Sequence, residues 1–136
     1  MMQYIFPVIQ SPLYKAIKKM NNKFDHTELE KSRPHIMVEI LGYEPSSVLI
    51  KAIIKKTTGN VMVSAVNAGQ ELAEETLAFD SFIQIIDGSA NVIIKGEKFK
   101  LAPGEGIIIP AHSSHRITAT EQFKMISTII KSGYND

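Results

Sequence analysis

Gly69-Gln70-Glu71-Leu72-Ala73-Glu74-Glu75-Thr76-Leu77-Ala78-Phe79-Asp80-Ser81-Phe82-Ile83-Gln84-Ile85-Ile86-Asp87-Gly88 is the stretch from which the fold is read. Its last third, 82–86, is β-prone, apolar on both faces apart from Gln84, and closed by the turn signal Asp87-Gly88. Successive side chains of an extended chain point to opposite faces, so Glu75, Leu77, Phe79, Ser81, Ile83 and Ile85 share one face. The acidic run 70–75 at its start reads as a solvated loop.

Outward from this stretch the pattern repeats. Short runs rich in Val and Ile predict strands at 48–56, 61–67, 82–86, 90–95, 98–101, 106–109, 115–119 and 123–131. Thr58-Gly59-Asn60, Ala68-Gly69, Asp87-Gly88 and Gly96-Glu97 separate several of them. Eight closely spaced strands with no helical segment between them predict an all-β antiparallel sandwich or barrel rather than parallel βαβ units.

The chain before Pro34 has a different texture. Ser11-Pro12 supplies a cap and first-turn pair, and Leu13, Ala16, Ile17 and Met20 recur at helical offsets with lysines on the other side. A short N-terminal helical region is therefore expected, its lysines forming a solvated face. The run 3–9 is β-prone, and Pro7 denies it one backbone donor, which suits an edge strand. The organisation expected is an N-terminal extension over 1–47, packed on a β-barrel over 48–136.

A chain of 136 residues with 44% hydrophobic and 21% charged side chains is long and apolar enough for one globular core. A formal charge of +1 gives no field that would draw it to nucleic acid or anionic lipid. The absence of cysteine excludes thiol catalysis, disulfides and thiolate metal sites, which leaves His, Asp and Glu for chemistry. Residues 1–9 lack the flanks of a signal peptide and are too short to span a bilayer, so a cytoplasmic location is expected.

Two stretches carry a resemblance. Gly69 to Gly88 and Gly104 to Ala119 resemble the paired motifs of the cupin superfamily, G-x5-H-x-H-x3-E-x6-G and G-x5-P-x-G-x2-H-x3-N, with no gap in spacing. Gly69, Gly88, Gly104, Pro110 and His115 stand at matching positions. The resemblance implies a small jelly-roll barrel of the cupin type. In that family the two His and the Glu of the first motif and the His of the second hold a divalent transition metal inside the barrel. Here those four positions read Glu75, Leu77, Ser81 and His115, while His112 replaces a Gly and Ala119 an Asn.

Two readings follow from the resemblance. In the first, the metal signature is degenerate, no cofactor is held, and Glu75, Leu77, Phe79, Ser81, His112 and His115 surround a small organic ligand at the barrel mouth. In the second, Glu75, His112 and His115 form an atypical metal-ligand set of an oxygenase-type or isomerase-type enzyme. The first is preferred, because a transition-metal site takes three or four protein ligands and only Glu75 and His115 remain at matching positions. A homodimer is expected from the apolar outer face of 82–86, with neither nucleic acid nor membrane as partner. A dimeric interaction module is the remaining alternative.

Overall fold

The structure, a computed structural model, describes residues 22–134. Among the described residues, ten strands form two sheets. They are β1 (Asn22–Asp25), β2 (Val48–Lys56), β3 (Gly59–Val66), β4 (Glu71–Thr76), β5 (Asp80–Gly88), β6 (Ala90–Ile94), β7 (Glu97–Leu101), β8 (Gly106–Ile109), β9 (Ser114–Thr118) and β10 (Phe123–Ile130). One sheet has the order β1-β2-β3-β10-β5-β8 and the other β4-β9-β6-β7. Every pairing is antiparallel except β1 on β2. This is the jelly roll expected from the sequence. The only helical element among the described residues is one turn of 3-10 helix, Met37–Glu39. The helix expected around Leu13 to Met20 and the strand at 3–9 lie outside the described residues.

The core lies between the sheets. Val66, Ile83, Ile85, Ile109, Phe123 and Met125 from the larger sheet meet Ala90, Val92, Leu101, Ile117 and Ala119 from the smaller one. The alternation of β5 places them there: Ser81, Ile83 and Ile85 turn inward, while Asp80 and Phe82 turn out. Phe82 (40% exposed) and its cross-strand partner Ile108 (64%) sit side by side on the outer face, at the β8 edge of the sheet.

Residues 26–47 cross the outer face of the six-stranded sheet. Val63 and Ala65 alternate with the inward-facing residues of β3, yet both are buried. The ammonium of Lys124, on the neighbouring strand opposite Ala65, donates to the Val38 carbonyl and lies 4.9 Å from the centre of the Tyr43 ring. The Tyr43 hydroxyl donates to the Asp87 carboxylate. Burial and that neighbouring carboxylate raise the pKa of the hydroxyl well above the usual tyrosine value.

Two local features differ from the sequence reading. The acidic run expected as a loop is instead strand β4, Glu71–Thr76, paired with β9. The glutamates obscured it, because charged side chains on an exposed strand carry no apolar alternation. Asp87-Gly88 does not end β5, which continues through both residues. Lys124 pairs with Asp87 and Met125 with Ile85, so Ile86 is the extra residue of a β-bulge.

Candidate functional site

One end of the space between the sheets is not filled by side chains and leaves a cavity of about 130 Å³. The larger sheet supplies one wall, including Met62, Ser64, Ser81, Ile83, Met125 and Ser127. The smaller sheet supplies Leu72, Ala73, Glu75, His115 and Ile117, and Leu77 lies in the link between β4 and β5.

Glu75 and His115 are direct cross-strand partners on β4 and β9. A second bulge positions the carboxylate. Leu72 pairs with Ile117 and Glu75 with His115, so three steps on β4 oppose two on β9. In a regular strand an offset of three would send Leu72 and Glu75 to opposite faces; the bulge lets both line the cavity. His115 is buried at 8% exposure, and its Nδ1 makes a long contact, 3.4 Å, with the Ser113 carbonyl oxygen. A carbonyl accepts only, so in this contact Nδ1 is the donor.

Of the six side chains expected at the site, Glu75, Leu77, Ser81 and His115 line this cavity, whereas Phe79 and His112 stand outside its lining. Phe79 packs on Tyr134, ring centres 6.0 Å apart. The Tyr134 hydroxyl accepts from the Asp80 backbone N–H and donates to the Ile130 carbonyl, tying the β4–β5 link to the end of β10. The alternation that placed Phe79 inward fails because residues 77–79 are not in a strand. His112 is exposed and has a left-handed backbone, φ +65°, while its N–H donates to the Leu77 carbonyl at 2.7 Å.

That left-handed turn explains why the cupin motif has Gly at this position, and why His112 is strained there. His112→Gly is expected to raise stability by up to about 1 kcal/mol, since it relieves an L-residue at positive φ against the larger unfolded-state entropy of glycine. A thermal midpoint higher by a few degrees, with ligand binding unchanged, is the expected result. An unchanged or lower midpoint would show that the imidazole stabilises the turn.

The wall opposite His115 was not legible as a site. Met62-Val63-Ser64 on β3 and Met125-Ile126-Ser127 on β10 run antiparallel, so Met62 faces Ser127 and Ser64 faces Met125. This crossed pair of Met-x-Ser runs, with Ser81 on the next strand, brings three hydroxyls to the cavity. A serine repeated two residues after a methionine in an apolar strand was the available signal. The three serines are 2%, 4% and 5% exposed (64, 81 and 127).

A transition metal does not fit this donor set. Glu75 and His115 are the carboxylate and imidazole at the cavity, Leu77 offers no donor, and Ser81 is a weak ligand. Among the described residues no three His, Asp or Glu side chains come together as a metal site.

The family model described as Ethanolamine utilisation protein EutQ matches residues 16–134. The chain belongs to the EutQ family. Its fold is that of the cupin superfamily, and three solved structures illustrate the likeness. A conserved protein of unknown function from Streptococcus pyogenes superposes with a TM-score of 0.75 at 22% identity, over 81% of this chain and 96% of the other. A cupin superfamily protein from Desulfitobacterium hafniense gives 0.73 at 22% identity, over 79% and 98%. A cupin 2 conserved barrel domain protein from Leptotrichia buccalis gives 0.67 at 23% identity, over 69% and 46%. At these identities the likeness is one of fold. A comparison with curated proteins finds no match. Among the described residues of this EutQ-family chain, no helix is long and apolar enough to cross a membrane.

Proposed function

We propose that this EutQ-family protein binds a small organic molecule in the cavity between its sheets, without the metal that cupin barrels commonly hold. The observation that carries this reading is the arrangement of three buried serine hydroxyls opposite His115 and Glu75 in an otherwise apolar cavity of about 130 Å³. Serine hydroxyls that line a cavity can donate to and accept from an occupant, so three of them in one small space favour a ligand with polar atoms. An apolar cavity with a few convergent polar groups is also the common form of a ligand site. The family description, ethanolamine utilisation, is consistent with an occupant that is a small organic molecule.

The test is a thermal-shift screen of small alcohols, amines, aldehydes and carboxylates against protein purified without chelator, with metal content measured on the same sample. A ligand-dependent rise in midpoint with no stoichiometric metal is the expected result. Near-stoichiometric metal that is lost in both Glu75→Ala and His115→Ala would instead support the metal-dependent enzyme. Self-association is a second reading, favoured by the exposed pair Phe82 and Ile108 at the open β8 edge.

A further inference from the structure

Of the described residues that line the cavity, Leu77 alone lies outside a strand. It sits in the link 77–79, which carries the chain from β4 in one sheet to β5 in the other. Wall residues in strands are held by a ladder, whereas the link is held only by the particular contacts made to it. Two of these come from the turn before β9: the His112 N–H donates to the Leu77 carbonyl at 2.7 Å, and the Ala111 N–H to the Asp80 carboxylate at 2.8 Å. The third is Tyr134. After β10 the chain turns back at Gly133 (φ +92°), which sets the Tyr134 ring against Phe79 and its hydroxyl between Asp80 and Ile130. Those two residues are the last register pair of β5 on β10, and the hydroxyl bridges them, accepting from the Asp80 N–H at 2.7 Å and donating to the Ile130 carbonyl at 2.5 Å.

We propose that Tyr134 is a latch on the cavity: in place it holds the link with Leu77 in the wall, and its release lets the link swing outward and admits a ligand. This names the control of access to the proposed ligand site, and rests on that reading of the cavity. The lining residues Ala73 and Glu75, on β4 just before the link, are exposed, so the cavity reaches solvent on that side and Leu77 stands at its rim. Tyr134 is itself 36% exposed, so water competes for its hydroxyl and its two hydrogen bonds open locally without unfolding of the barrel. The ladders confine the movement. Thr76 is paired with Ser114 at one end, and Ser81 is paired with Ile129 and Ile109 at the other, so only 77–80 are free to shift.

The chain has no cysteine, so a single thiol placed in the cavity reports entry without background. Ser64→Cys serves, because Ser64 is 2% exposed, lines the cavity and lies on β3, which neither carries the link nor pairs with β4 or β5. Its reaction with methyl methanethiosulfonate is timed in the full chain with Tyr134 intact, with Tyr134→Phe, which keeps the ring and loses the bridge, and with Tyr134→Ala, which loses both. Each hydrogen bond lost shifts a local opening equilibrium by a factor of about two to ten, so Tyr134→Phe should speed labelling by roughly tenfold and Tyr134→Ala by more. Exchange of the Asp80 amide should rise in step, while the amides of the central strand β3 keep their protection. Labelling that neither substitution changes, or that is already as fast as an exposed thiol with Tyr134 intact, overturns the latch. So does a rise in β3 exchange equal to that of Asp80, which would make the effect one of global stability. No ligand enters the experiment, so these outcomes leave the reading of the cavity as a ligand site to the thermal-shift screen.

Discussion

Gly88→Ala is expected to destabilise the fold by about 3–4 kcal/mol, the sum of an L-residue forced into a left-handed backbone and of an overpacked contact. Gly88 has φ +68°, and a Cβ added there would stand 2.0 Å from the Gln122 carbonyl oxygen and 2.9 Å from the Phe123 Cα. Those atoms are backbone, so no side-chain rotation relieves the contact. The conformation follows from the bulge at Ile86, after which the last residues of β5 stay paired with Lys124 and Phe123. Phe123 is wholly buried in the core, which prevents the start of β10 from retreating. Gly104→Ala is the control. Gly104 also has positive φ, +89°, but open space surrounds its Cα, so only the conformational cost of about 1–2 kcal/mol applies. Urea unfolding of the two variants should separate them by about 2 kcal/mol, and equal losses would mean that the two strand ends part easily.

Ser127→Leu is expected to move stability and binding in opposite directions. Leucine replaces a buried hydroxyl by three carbons and fills space that the native chain leaves empty, so a gain of about 1–2 kcal/mol is expected. Ser127 lines the cavity of about 130 Å³, which has room for the larger side chain. The same carbons occupy the place of the ligand, so affinity for any cavity ligand should fall by about a hundredfold or more, the consequence of losing both volume and a hydrogen bond. Thermal midpoint and ligand titration on one sample read both effects. A variant that gains stability and keeps its ligand would move the binding site out of the cavity. One that loses stability would show the Ser127 hydroxyl to be part of the packed structure.

Much of the barrel was legible because its strands are short, apolar and punctuated. The expected strands at 48–56 and 106–109 coincide with β2 and β8, and six others match to within about two residues at each end, the ordinary uncertainty of element boundaries. Strand β4 was hidden by its glutamates, and β1 by its four exposed residues. Both are edge strands, which gain order from the neighbour they pair with rather than from burial of their own side chains.

The candidate site divided along similar lines. Glu75, Leu77, Ser81 and His115 could be named from motif spacing alone, because the spacing of a hairpin fixes which residues meet. Phe79 and His112 stand outside the cavity lining for local reasons, a chain link that leaves the strand alternation and a turn with positive φ. Ser64 and Ser127 went unread because each looks like an ordinary polar residue in its own strand. They become a site only when β3 and β10 pair antiparallel in the one register that sets each serine beside the other strand's methionine.

The sequence by itself determined the all-β class, the motif spacing and the residues, Glu75, Leu77, Ser81 and His115, that stand at the motif's four positions, since alternation, turn residues and side-chain identity are local properties. Only the tertiary structure decided that one bulge sets Leu72 and Glu75 on the same cavity wall, that another carries β5 past its turn signal, and that three serines from separate strands line the cavity with His115. Bulges and register are settled by how two sheets close around a shared core, where a shift of one residue would send every inward side chain to solvent.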